Sequence, residues 1–425
     1  MKTSLPYGRH KLTITVPDNA SVITVTPPAA VASTENAIKQ ALNAPTAGPP
    51  LADILSPGDQ VVITHTDITR ATPNHIIIPL LTAYLEKQGI PAKNITLLNS
   101  TGTHRMQTQK ELEEMLGKET ARRYRIIQHD ALNKKELHFA GSLETGNDIY
   151  INRAYIDADI RIVTGFIEPH FFAGFSGGPK AILPGIAGMQ SIMRNHGTAH
   201  IENPAATWAI TRGNPLWEEI ASAAELAPPD FMLNVTLNDF GDITGIFSGE
   251  LFEAHRKGCN FTADNAMVRL EHPFDIVVTS NSGYPLDQNL YQAVKGISAA
   301  ASITRPGGAI IIAAACSDGI PSHGDFGELL RRFTEPEEFL NFLHKQKEPQ
   351  PDQWQMQLLA HLALRYRIFI CSAGLREENL NTSFFTLIES IEDTLEELMA
   401  GLGPGADIAI LPEGPQTIAV TGPKI

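Results

Sequence analysis

The chain has 425 residues, 43% of them hydrophobic and 19% charged, with 33 Lys plus Arg against 47 Asp plus Glu and a formal charge of −14. That balance excludes an intrinsically disordered chain and predicts two or three domains. The acidic excess argues against nucleic acid and anionic membranes as partners.

The three cysteines, Cys259, Cys316 and Cys371, form no CxxC pair. Reduced thiols in a cytoplasmic enzyme are therefore expected rather than disulfides or a thiolate metal cage. The opening MKTSLPYGRHKLTITVPDN lacks the apolar run of a signal peptide. No uncharged apolar stretch reaches the roughly 20 residues that cross a bilayer.

Short apolar runs alternate with helical patterns, which predicts α/β architecture with mostly parallel sheets. Gln60 to Thr64 reads as a buried strand, Asn74 to Gln88 as a helix stopped by Gly89, and Asn94 to Leu98 as a second strand. A charged helix over Gln107 to Tyr124 leads into a third strand at Arg125, and Asp159 to Thr164 is a fourth. Phe231 to Gly249 reads as a hairpin around Asn238-Asp239-Phe240-Gly241. The grammar restarts near His272, with strands at Asp275 to Thr279, Ala309 to Ala315 and Arg367 to Cys371. Helices are predicted over Leu290 to Ile303 and around Leu387 to Leu402, and a turn at Pro306-Gly307-Gly308. The expected domains are 1–270 and 271–399; the tail of about 400–425, with a last strand at Asp407 to Leu411, fits either unit, a return to the first included.

In a parallel sheet, ligands bind beyond the carboxyl ends of the strands, and the polar residues of this chain gather there. After the first strand, Asp67-Ile68-Thr69-Arg70 offers a guanidinium able to clamp a carboxylate, with Asp67 to orient it. A helix cap beside a solvated arginine explains the segment equally well. After the second strand, Ser100-Thr101-Gly102-Thr103-His104 supplies hydroxyls, a glycine for close backbone approach, and an imidazole with a pKa near neutrality. An exposed loop histidine is the plain alternative.

The densest segment follows the fourth strand and runs from Glu168-Pro169-His170 through three phenylalanines to Gly174-Phe175-Ser176-Gly177-Gly178-Pro179-Lys180. Its glycines let the backbone turn toward an anion. Lys180, with an apolar run behind it, suits a nucleophile or attachment point. This is not a P-loop, because the GxxxxGK[ST] order is missing and Pro179 has no amide to give. His196, in Arg194-Asn195-His196, is a ligand type for nickel, copper or zinc. No HExxH or neighbouring cysteine completes a site, so it needs a partner the chain does not encode. In the second unit, Tyr291 and Lys295 share a helix face beside Gln292, where a carboxylate can be held. Trp354 suits an apolar wall or plain packing.

Taken together and in this order, these segments resemble the nickel-pincer-dependent lactate racemase family over nearly the full length. The resemblance implies two α/β domains with the site in the cleft between them. It implies nickel in a pyridinium mononucleotide joined through a thioamide to Lys180, with His196 as the protein's metal ligand. His104 and His170 would be the acid/base pair on the two faces of a 2-hydroxy acid, its C2 hydride passing to the cofactor through a 2-keto acid. Arg70, Tyr291, Gln292, Lys295 and Trp354 would hold the substrate. Thr69, Ser100, Gly102, Thr103, Ser176, Gly177 and Gly178 would hold the cofactor. Cofactor-synthesis proteins would be partners in maturation. Read from the residues alone, Lys180 also suits a Schiff-base enzyme, and the two-domain plan a non-catalytic metabolite-binding protein. The paired histidines argue against a simple binder.

Overall fold

The computed structural model describes residues 1–238, 240–321, 324–346, 349–376, 378, 380–403 and 405–421. It divides into two compact units, one of Pro27–Asn195 with Pro204–Asn265, the other of Met1–Thr26, His196–Asn203 and Ala266–Ile425.

The first unit is built on a six-stranded sheet in the order Ile243–Gly249, Phe231–Leu237, Ile160–Phe166, Val61–Thr66, Ile95–Ser100, Arg125–Gln128. All neighbours are parallel except the edge strand Ile243–Gly249, which closes the predicted hairpin against Phe231–Leu237. Buried Val61, Ile63, Ile95, Leu97, Ile162, Leu233 and Val235 form its core with Ile77, Ile78, Leu81 and Leu85 of the helix Asn74–Lys87. Each such side chain contributes about 1.5–3 kcal/mol by leaving water. Successive strands step one way from Val61–Thr66 to Arg125–Gln128, and then Ile160–Phe166 joins on the opposite side. The order therefore reverses between Val61–Thr66 and Ile160–Phe166, which is where a crevice opens in such sheets.

The second unit has a fully parallel sheet, Thr386–Ile388, Arg367–Cys371, Thr304–Ala313, Phe274–Ser280, Ile408–Leu411, Ser21–Val22. Its order reverses between Phe274–Ser280 and Ile408–Leu411.

Several expectations change. The charged helix over Gln107 to Tyr124 is two helices, Gln109–Leu116 and Lys118–Arg123, broken at Gly117, whose φ of 82° no helix accommodates. The turn at Pro306 to Gly308 lies inside the long strand Thr304–Ala313, at a register shift opposite Phe274 to Ile276. The tail does not return to the first unit, because Ile408–Leu411 pairs with Phe274–Ser280 in the second. Met1–Thr26 also belongs to the second unit, through Ser21–Val22 and the hairpin of Lys2–Tyr7 with His10–Thr15. Among the described residues, no helix is long and apolar enough to cross a membrane.

Candidate active site

The loops after Val61–Thr66, Ile95–Ser100 and Ile160–Phe166, at and beside the first sheet's reversal, carry most of the predicted site residues. Beyond Val61–Thr66, Asn74 at the start of its helix donates through Nδ2 to Thr66 O at 3.1 Å and pins the loop. Asp67 is 2% exposed. Its Oδ1 accepts from the Thr69 amide at 2.8 Å and the Thr69 hydroxyl at 2.6 Å. Its Oδ2 accepts from His104 Nδ1 at 2.6 Å. The side chain that the Asp67 carboxylate orients by hydrogen bond is thus that of His104; Arg70 donates its amide to Asp67 O at 3.2 Å, and its guanidinium acts on the carboxylate through charge. Burial pushes the Asp67 carboxyl up, but the hydrogen bond and charge of His104, the charge of Arg70 and the Thr69 hydroxyl outweigh it and hold the group at about 2. An ionised acceptor on Nδ1–H leaves the lone pair of His104 on Nε2, and the ring is 40% exposed. Thr69, Arg70 and Thr103 are exposed beside it.

Gly102, at φ 56°, donates its amide to Gly185 O at 3.0 Å, so the second loop lies against the backbone that follows Lys180.

The third segment is more ordered than a loop. Pro169–His170 pairs antiparallel with Gly174–Phe175, and Gly178–Ala181 forms a short helical turn that carries Lys180. The rings of His170, Phe171 and Phe172 pack together with centroids 4.3–4.8 Å apart. His170 Nδ1 accepts from the Ala173 amide at 3.2 Å, which puts the hydrogen of a neutral ring on Nε2. That Nε2 lies 3.3 Å from Lys180 Nζ. The acid/base candidate and the tether candidate are therefore neighbours, 5.8 Å separating Nζ from the centre of the Phe172 ring.

Ser176 spends its hydroxyl inside the loop, donating to Phe166 O at 2.9 Å and accepting from the Glu168 amide at 3.0 Å. The Gly178 amide donates to Asn234 Oδ1 at 2.7 Å. Gly177 is required by space as well as by its φ of 75°, since a Cβ there would sit 2.6 Å from Asn234 Oδ1.

In the second unit, Tyr291, Gln292 and Lys295 are half-buried on the helix Leu290–Ala301, capped by Asn289. Trp354 is buried, and its Nε1 donates to Tyr291 Oη at 3.2 Å. The Trp354 ring packs on His196 with centroids 5.0 Å apart. Next to buried His196, Thr198 accepts from Gln353 and Gln357 of the same helix as Trp354. Trp354, Tyr291 and His196 thus form one cluster, a grouping the sequence left open.

Sequence reasoning missed Asn234 and His255. Asn234 is a lone polar residue in the buried run Met232-Leu233-Asn234-Val235, which was the available signal. His255 bonds Ser176 O from 79 residues away and had none.

The residues fit a bound nucleotide. Thr64, Thr72 and Ser100 hold hydroxyl oxygens that are buried without a hydrogen-bond partner around the ends of the first two strands. Such groups call for a polar guest. Among the described residues, no group of three or more His, Cys, Asp or Glu converges to hold a metal ion.

Residues 7–209 match the family model of the lactate racemase N-terminal domain, and residues 270–419 that of the lactate racemase C-terminal domain. The chain is 35% identical over 420 residues to the lactate racemase of Thermoanaerobacterium thermosaccharolyticum, covering 97% of this chain and 98% of that protein. It is 32% identical over 416 residues to the lactate racemase of Lactiplantibacillus plantarum, covering 96% and 97%. The lactate racemase apoprotein structure from T. thermosaccharolyticum superposes with a TM-score of 0.91 at 34% identity, over 99% of this chain and 100% of that one. A Thermotoga maritima protein shares the fold alone, with a TM-score of 0.70 at 20% identity over 94% of this chain and 100% of that one. The chain belongs to the lactate racemase family of isomerases.

Proposed function

We propose that the chain racemises lactate or a closely related 2-hydroxy acid, using a nickel-pincer nucleotide joined to Lys180. The observation that carries this reading is that loops of one unit, at and beside the sheet reversal, carry a carboxylate-oriented histidine and a second histidine whose Nε2 is 3.3 Å from the amine of a half-buried lysine.

When bound, the nucleotide supplies a hydride acceptor for substrate C2. Lys180 would anchor it and His196 would contribute an imidazole ligand to nickel. Ser100, Thr72 and the turn from Gly174 to Gly178 would receive its polar groups. Because Ser176 Oγ and the Gly178 amide are already engaged, the partnerless hydroxyls are the readier donors.

The chain's own residues handle the proton. His104 presents an Nε2 lone pair and takes the C2 hydroxyl proton, while the Asp67 carboxylate stabilises the imidazolium that forms. His170, with hydrogen on Nε2, would donate a hydrogen bond to the substrate oxygen and steady the charge on it. When the planar 2-keto acid is reduced on its other face, the imidazolium of His104 would return the proton to the C2 oxygen, leaving both histidines as they began and the centre inverted. Arg70 and Lys295 would hold the carboxylate, with Tyr291, Gln292 and Trp354 shaping the substrate's surroundings. Maturation would involve cofactor-synthesis proteins, and the acidic α/β chain would work in the cytoplasm.

The test is a panel of single-enantiomer 2-hydroxy acids incubated with protein co-expressed with cofactor-synthesis machinery. Loss of optical activity for lactate or a near relative supports the reading. Unchanged optical activity across the panel, by protein that carries nickel and the lysine adduct, would sink it.

A further inference from the structure

A buried histidine outside the proton chemistry holds the turn that carries Lys180. His255 lies on the helix Leu251–Ala266 and is 2% exposed. Its Nε2 is 2.9 Å from Ser176 O. A carbonyl only accepts, so the hydrogen is on Nε2 and the lone pair on Nδ1. Cys259 Sγ, one helical turn on, lies against the ring at 3.4 Å from Nδ1 and 3.5 Å from Nε2. Burial keeps that thiol protonated and keeps the imidazole neutral, at about 4. Trp217 closes the other side, stacked at 5.0 Å and 17°.

The ring does more than make one hydrogen bond. A Cβ built on Gly178 would lie 2.4 Å from His255 Cδ2, so the imidazole fills the notch that the glycine leaves. The same Gly178 amide is held by Asn234. The peptide from Ser176 to Gly178 is thereby fixed at its carbonyl, its amide and its bare Cα, two residues before Lys180.

We infer that His255, kept in its Nε2–H form by the Ser176 carbonyl, is the positioning residue of the Lys180 turn, setting where the lysine amine meets its attachment partner. This deepens the reading of Lys180 as a tether and rests on it.

The test uses the full chain in two states. In the apo chain, hydrogen exchange at Gly178 should rise at least ten-fold in H255L, which keeps the volume and loses the donor. It should stay within three-fold of wild type in H255Q, which keeps an N–H near Ser176 O. In chain incubated with the nickel-pincer nucleotide, intact mass should show covalent loading slowed at least ten-fold in H255L and largely restored in H255Q.

A second comparison stands if H255L folds poorly. G178A should load slowly because its methyl meets the ring, and G178A/H255A, which removes the ring, should load faster than G178A. Wild-type exchange at Gly178 in H255L, or equal loading by G178A and G178A/H255A, overturns the inference. Wild-type chain that never gains an adduct counts against the tether alone, because the exchange result still decides the role of His255.

Discussion

Asp67 Oδ2 lies 2.6 Å from His104 Nδ1, across 37 residues of sequence, and under the proposed function this contact decides which nitrogen of His104 would meet a substrate. In D67N the side-chain amide either donates to Nδ1 or leaves Nδ1–H weakly held. The first outcome moves the hydrogen to Nε2 and removes the base. We expect kcat to fall about 100-fold or more while covalent loading at Lys180 is retained. Steady-state kinetics on the loaded protein checks this, and a kcat within three-fold of wild type would remove Asp67 from the mechanism.

The cluster of Trp354, Tyr291 and His196 makes a separate prediction. W354F keeps most of the buried ring but loses the indole N–H that holds Tyr291 Oη. A hydrogen bond of this kind is worth about 1 kcal/mol, so KM should rise about five-fold with kcat little changed. A change in kcat alone would place Trp354 elsewhere in the reaction.

Acid should destabilise the fold well above the carboxylate range. Burial pushes the imidazoles of His65 and His255 down to about 4, against an ordinary 6.5. Above pH 6.5 the folded and unfolded chains both hold neutral rings, and nothing is gained or lost. As pH falls below 6.5 the unfolded chain takes up protons that the folded chain refuses, so stability drops until about pH 4. At pH 5 the loss is on the order of 2 kcal/mol per ring. Asp67, held at about 2, contributes stability that is lost only below the ordinary carboxylate value, outside this window. Denaturant titrations at pH 7.5 and pH 5 measure the effect, and equal stability at the two values would contradict the neutral-histidine assignments.

Gly177 answers for the shape of the tether turn. Its φ is 75°, and an added Cβ would stand 2.6 Å from Asn234 Oδ1 and 2.8 Å from Phe166 O. G177A should lower stability by about 2 kcal/mol or more and slow loading. Unaltered melting would show that the turn tolerates a side chain.

The parts of this molecule that sequence made legible are those whose signal is local. The strands around Val62, Leu97, Val163 and Val277 are apolar runs bounded by turn residues, and they lie where expected to within two residues. Gly117 broke a helix that charge periodicity had joined, because one positive φ outweighs the pattern on either side. The placement of Met1–Thr26 depends on Ser21–Val22 pairing with Ala409 and Ile410, nearly the whole chain away, and nothing local encodes that. The site follows the same rule. His104, His170 and Lys180 stand in recognisable segments, whereas the partners that set their states, Asp67, Asn234 and His255, act across 37 to 79 residues.

The most direct test of the central claim follows one preparation through two readings. The chain, co-expressed with cofactor-synthesis machinery, is weighed intact, mapped at Lys180, assayed for nickel and given L-lactate alone. The account predicts an adduct on Lys180, nickel bound to the loaded chain, and decay of optical activity to zero, all lost in K180A. A nickel-loaded, Lys180-modified chain that leaves L-lactate and related single-enantiomer 2-hydroxy acids unchanged would contradict it.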